Sequence, residues 1–170
     1  MNSMNAQLNI NCDPKFATGN VLIIDQSESN LLSLRALLAD KCNCVTCANS
    51  GNKALTLLLK NNNYSLIFLA VQIPESDGFD TLKLLKKHPK TRDIPVICIT
   101  ADQPDPKSLH LGYEIGAVDS ICHPIDPLII CAKVAVFVAL HSAKNKLKDE
   151  MCFLRDHTQT KQNILIHSAE

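Results

Sequence analysis

The stretch LIFLAVQIPESDGFD, residues 66–80, passes from a continuous apolar run through a proline-containing turn into a helix start. A short apolar run bounded by turn residues reads as a strand buried on both faces, the kind a parallel sheet uses. Asp77-Gly78 marks the turn into a helix over 77–88, with Phe79, Leu82 and Leu85 on its inward face and Pro89 beyond its end. The strand ends on Ala70, the position where open α/β sheets place their ligand chemistry.

The same alternation extends in both directions. Residues 20–25 (NVLIID) form a short apolar run ending in an acid, and 44–47 (CVTC), 94–100 (IPVICIT) and 119–122 (DSIC) are further strand candidates. Between them, 28–40 places Leu31, Leu34, Leu37 and Leu38 on one helical face, and Ser50-Gly51 opens a helix over 52–60 facing inward through Ala54, Leu55, Leu58 and Leu59. A fourth helix begins near Asp105-Pro106 and ends near Gly116. The last takes Asp126 as its N-cap and Pro127 at its first helical position. Five strands alternating with five helices predict an α/β domain with a doubly wound parallel sheet. Its carboxyl ends present Asp25, Cys47, Ala70, Thr100 and Cys122-His123.

Composition narrows the function. Hydrophobic residues make up 46% of the 170-residue chain, which suits a packed core, but aromatics are only 4% with no Trp, so that core is aliphatic. Zero formal net charge and no basic block argue against a nucleic-acid partner. The longest apolar run, 128–140, is interrupted by Lys133 and is short for a membrane span, and no signal peptide is evident, so the expected setting is soluble and cytoplasmic. Of the eight cysteines, Cys98, Cys122 and Cys131 sit in apolar segments as small hydrophobes. Cys42, Cys44 and Cys47 form a cluster that offers redox or metal sensing as an alternative function, yet no second Cys/His pair follows at zinc-site spacing.

Several segments in register, VLIID, NSGNKAL, LIFLAVQIPESDGFD, TRDIPVICITA and GAVDSICHPID, resemble the receiver domain of bacterial two-component response regulators over about residues 20–140. The resemblance implies a flavodoxin-like, CheY-like fold with strand order 2-1-3-4-5. It also implies aspartyl phosphorylation, which needs a carboxylate nucleophile, an acidic pair holding Mg²⁺, a hydroxyl and a lysine. Asp25 and Thr100 match that pattern. Gln26 stands where the second acid belongs, Ala70 at the nucleophile, His123 at the lysine and Ser120 at the switch aromatic. The expectation is a degenerate pseudo-receiver without Mg²⁺ or catalysis, in which Asp25 bonds a loop amide and Thr100 caps a turn. His123-Pro124 is expected to be cis by the same resemblance. His88, His110, His141 and His157 share no ligand spacing and are taken as solvated.

The final helix carries more apolar surface than one sheet face requires. Ile130 and Val134 suffice for the sheet, leaving Ile129, Val136 and Phe137 for something else. Leu140, Lys144, Leu147, Met151 and Leu154 continue at 4-3-4-3 spacing, a short coiled-coil seam. The expected organisation is a flexible leader over 1–18, a receiver-like domain over 19–140, a helical extension over 141–157 as a candidate coiled coil, and a tail over 158–170. The expected partners are a histidine kinase or another regulator, and a second copy of the chain.

Overall fold

A computed structural model describes residues 19–71 and 77–168, with only the backbone described at Asp77. Its elements are β1 (Asn20–Ile24), α1 (Glu28–Leu38), β2 (Cys44–Ala48), α2 (Gly51–Lys60), β3 (Leu66–Ala70), α3 (Asp77–Lys87), β4 (Val96–Thr100), α4 (Pro106–Ile115), β5 (Asp119–Cys122) and α5 (Pro127–His167). The five strands are parallel and lie in the order β2-β1-β3-β4-β5, as the resemblance implied.

Alternation along the strands sends side chains to two cores. Val21, Ile23, Leu66, Phe68, Ile97, Ile99 and Ile121 meet Leu31, Leu34 and Leu38 of α1 and Ile130, Val134 and Val138 of α5. Leu22, Ile24, Ile67, Leu69, Val96 and Cys98 meet Ala54 and Leu58 of α2 and Leu82 and Leu85 of α3. β3 is central and buried on both faces, which is why residues 66–69 contain no polar side chain.

Local chemistry sets the boundaries. Ser27, Ser50 and Asp126 accept backbone N–H bonds at the starts of α1, α2 and α5, from Asn30 (3.4 Å), Lys53 (3.2 Å) and Leu128 (2.8 Å). Gly116 ends α4 at φ 124°, a conformation that favours glycine. β4 begins at Val96 rather than 94, because the Ile94 amide bonds Thr91 O and Pro95 has no N–H for the ladder. Leu59, expected inward, is exposed: the inward stripe of α2 runs through Ala54 and Leu58, and Leu59 lies a further 100° or so around the helix.

α5 runs unbroken for 41 residues, about 60 Å at 1.5 Å per residue, passing residues 140 and 157 without interruption. Cys131 and Val138 join Ile130 and Val134 in the core. Phe137 is a correction: it is half-buried and packs on its own domain's core, so it leaves the free face. His141 is another, since its Nε2 lies 3.1 Å from Asn63 Oδ1 and 3.0 Å from Asn145 Nδ2, joining α5 to the loop before β3. Among the described helices, α5 has the length and composition to cross a bilayer. Part of its apolar content is nevertheless accounted for by residues packed on the sheet.

Candidate functional site

Asp25 follows β1 and is only 7% exposed. A buried carboxylate needs donors, and it has two: the Ser27 N–H reaches Oδ1 at 2.8 Å, and Asn30 Nδ2 reaches Oδ2 at 2.9 Å. Asp25 therefore bonds a loop amide, as the residue pattern suggested, and also clamps the first turn of α1. Gln26 beside it is exposed.

Ala70 closes β3, half-buried, and carries only a methyl group; Val71 N continues the ladder to Ile99 O at 2.9 Å. α3 starts hard against this strand end. A Cβ on Gly78 would lie 2.8 Å from Val71 Cα and 3.0 Å from the Ala70 carbonyl oxygen, so only glycine permits that approach. Gln72, Ile73 and Pro74 and the side chain of Asp77, whose expected work was capping, lie outside the described residues.

Thr100 at the end of β4 is buried, and its hydroxyl does not cap a turn. It donates toward Ile121 O (3.4 Å) and Cys122 Sγ (3.3 Å), joining β4 to β5. His123 N bonds Thr100 O at 3.0 Å, and the His123-Pro124 bond is cis, as expected. Asp25, Ala70, Thr100 and His123 thus follow the carboxyl ends of four strands, β1, β3, β4 and β5, on one edge of the sheet.

Two contacts were not legible in the residue pattern. Ser120 Oγ shares a hydrogen bond with Tyr113 OH at 3.2 Å, tying β5 to α4. The crevice beneath, lined by Val71, Phe79, Cys98, Thr100 and Gly112, is about 10 Å³, room for one water. The second contact is an ion pair between Lys133 of α5 and Asp119 of β5, which explains a lysine inside an apolar helix. Tyr113 precedes Ser120 by seven residues across a helix end, and Lys133 follows Asp119 by fourteen. Neither spacing belongs to a local motif.

The three cysteines of the cluster differ in their surroundings. Cys42 is buried behind α1, while Cys44 and Cys47 alternate to opposite faces of β2, one exposed and one half-buried. Burial above all, then the neighbouring Cys131 and Cys44, pushes the Cys42 thiol up to about 11; burial also raises Cys47, against the pull of Arg35. Raised thiols stay protonated, the opposite of what a reactive sensor needs. Among the described residues no three His, Cys, Asp or Glu side chains are placed to hold a metal.

The family model of the response regulator receiver domain matches residues 21–135. The chain belongs to that family. As a receiver domain it is a module of two-component signalling, a family whose members interact with histidine kinases or other proteins. It is 35% identical to the response regulator PleD of Caulobacter vibrioides over 114 residues, 67% of this chain and 25% of PleD. It is 29% identical to a Vibrio cholerae protein named "Probable cyclic di-GMP phosphodiesterase" over 150 residues, 88% of this chain and 32% of that one. The chain thus spans about a third or less of the length of these relatives. Among solved structures, the signal receiver domain of a histidine kinase from Syntrophus aciditrophicus aligns with TM-score 0.63 and 28% identity, over 71% of this chain and 90% of that one.

Proposed function

We propose that this receiver takes no phosphoryl group and signals by protein contact, binding a histidine kinase or another regulator and pairing with a second copy of itself. The observation that carries the reading is Ala70: the residue that ends the central strand, where the family's nucleophile belongs, has only a methyl group. Phosphoryl transfer to a side chain needs an oxygen, nitrogen or sulfur lone pair, and a methyl has none.

The surrounding residues support the same reading. The family's Mg²⁺ wants oxygen ligands in octahedral array, commonly one or two carboxylates with phosphate oxygens. Here Gln26 and Ala70 bring no carboxylate, and Asp25, the acid that remains, also accepts hydrogen bonds from Ser27 and Asn30, so the donor set is a poor fit for the ion. His123 replaces the family's lysine with a shorter, ring-bearing side chain. Ser120 carries no ring and is engaged with Tyr113. Pairing is supported by the exposed apolar side chains of α5 that its own domain leaves uncovered: Ile129, Val136, Leu140, Leu147, Met151 and Leu154.

The test is an amide NMR titration of the full chain with beryllofluoride and Mg²⁺. Spectra that do not move support the reading. Shifts clustered on Asp25, Ala70 and Thr100 would overturn it.

A further inference from the structure

We infer that two copies of the chain pair through α5 as a parallel, in-register coiled coil, with Glu150 of each helix opposite Arg155 of the other. The inference rests on the proposed self-association and adds its orientation and register. At about 3.6 residues per turn, Ile129, Val136, Leu140, Leu147, Met151 and Leu154 fall within roughly 60° of one another around the helix. The residues α5 buries in its own domain, Ile130, Cys131, Val134 and Val138, lie on a different face. The free stripe is therefore continuous from the receiver domain into the extension, where Leu147, Met151 and Leu154 are 61%, 54% and 63% exposed.

The 4-3 spacing assigns heptad positions. Leu140, Leu147 and Leu154 are d residues, and Lys144, Met151 and Thr158 are a residues. Lys148 and Arg155 then fall at e, and Ala143, Glu150 and His157 at g. In a parallel pair a g residue faces the e residue five positions later on the other helix, so Glu150 meets the partner's Arg155 twice by symmetry, and no like charges meet across the other g–e pairs. An antiparallel pair sets e against e, laying the edge His141, Lys148 and Arg155 along its own copy. Charge complementarity thus selects a second copy in parallel. Within one helix, side chains five residues apart do not meet, and neither Glu150 nor Arg155 has an ion-pair partner among the described residues. Their charges are available to a second helix. Lysine at position a, here Lys144, weakens such a pair while fixing its register.

Sedimentation equilibrium of the full chain at low ionic strength tests this with charge swaps at two exposed positions, where surface changes cost folding little. Glu150→Arg alone and Arg155→Glu alone should each raise the dimer dissociation constant about tenfold, since attraction becomes repulsion at two sites. An equimolar mixture of the two variants, and the double variant E150R/R155E, should both return to the wild-type constant. A wild type that dimerises while Arg155→Glu tightens it, or while the double variant stays weak, would overturn the parallel register and leave self-association standing. A wild type that is monomeric at every concentration, or that leaves solution only to bind phosphatidylcholine vesicles, would overturn both.

Discussion

Asn30 Nδ2 lies 2.9 Å from Asp25 Oδ2, and with the Ser27 amide on Oδ1 it turns a buried carboxylate at the sheet's carboxyl end into a clamp on the start of α1. A hydrogen bond to an ionised group contributes about 1.5–3 kcal/mol when its loss leaves the partner unsatisfied. Asn30→Ala should therefore destabilise the domain by about 1.5–2 kcal/mol, the lower part of that range because Asn30 is half-exposed. The check is a lowered urea midpoint at unchanged slope. An unchanged midpoint would mean that water replaces the amide without cost.

Ile129 and Ile130 are neighbours in sequence with opposite surroundings. Ile130 is fully buried against the sheet, whereas Ile129 is 48% exposed on the free stripe. Ile130→Ala should cost about 2–5 kcal/mol of folding stability, the usual range for such a core truncation. Ile129→Ala should stay within about 0.5 kcal/mol, as surface changes do, and should instead weaken self-association. Thermal unfolding and sedimentation on both variants separate the two effects.

Buried thiols set an alkaline limit. Burial pushes both Cys42 and Cys98 up to about 11, from an ordinary thiol value near 9. Below pH 9 the thiols are protonated in both states and folding loses nothing. Between about pH 9 and 11 the unfolded chain releases protons that the fold retains, so stability falls as pH rises through that window. Cys42→Ser and Cys98→Ser each remove one such thiol, and each should flatten the alkaline fall in urea stability relative to wild type. In the folded protein near pH 8, iodoacetamide should modify the exposed Cys44, Cys122 and Cys152 well before Cys42, Cys98 or Cys131, as peptide mass mapping would read.

Restoring the missing groups should restore chemistry if the scaffold is otherwise intact. Ala70 is half-buried at a strand end, so Ala70→Asp has room to ionise, and Gln26→Asp would supply the second carboxylate beside Asp25. With His123→Lys added, the triple variant should gain Mg²⁺-dependent labelling by acetyl phosphate. No labelling of a folded triple variant would mean that the Tyr113–Ser120 contact also blocks the site.

Much of this was legible in the residues because it depends on short-range rules. The apolar runs ending at Ile24, Ala70 and Thr100 could only be buried strands, and Ser50, Asp126 and Pro127 marked helix starts by backbone chemistry alone. Gln26, Ala70, Ser120 and His123 were assigned to the family's site positions by the resemblance alone. What escaped depends on distance in space. Thr100 looked like a turn cap because its partners, Ile121 and Cys122, arrive on another strand more than twenty residues later. Tyr113 on α4 and Lys133 on α5 found partners on β5 that no periodicity points to. Phe137 looked free because helical spacing alone does not tell how far a sheet's twist carries its cover.

The central claim is that Ala70 leaves this receiver without a phosphoacceptor. Intact mass spectrometry of the full chain after incubation with Mg²⁺ and acetyl phosphate tests it most directly. The account predicts an unmodified mass at all times. A phosphoadduct that hydroxylamine removes, the signature of an acyl phosphate on some carboxylate of this domain, would contradict it.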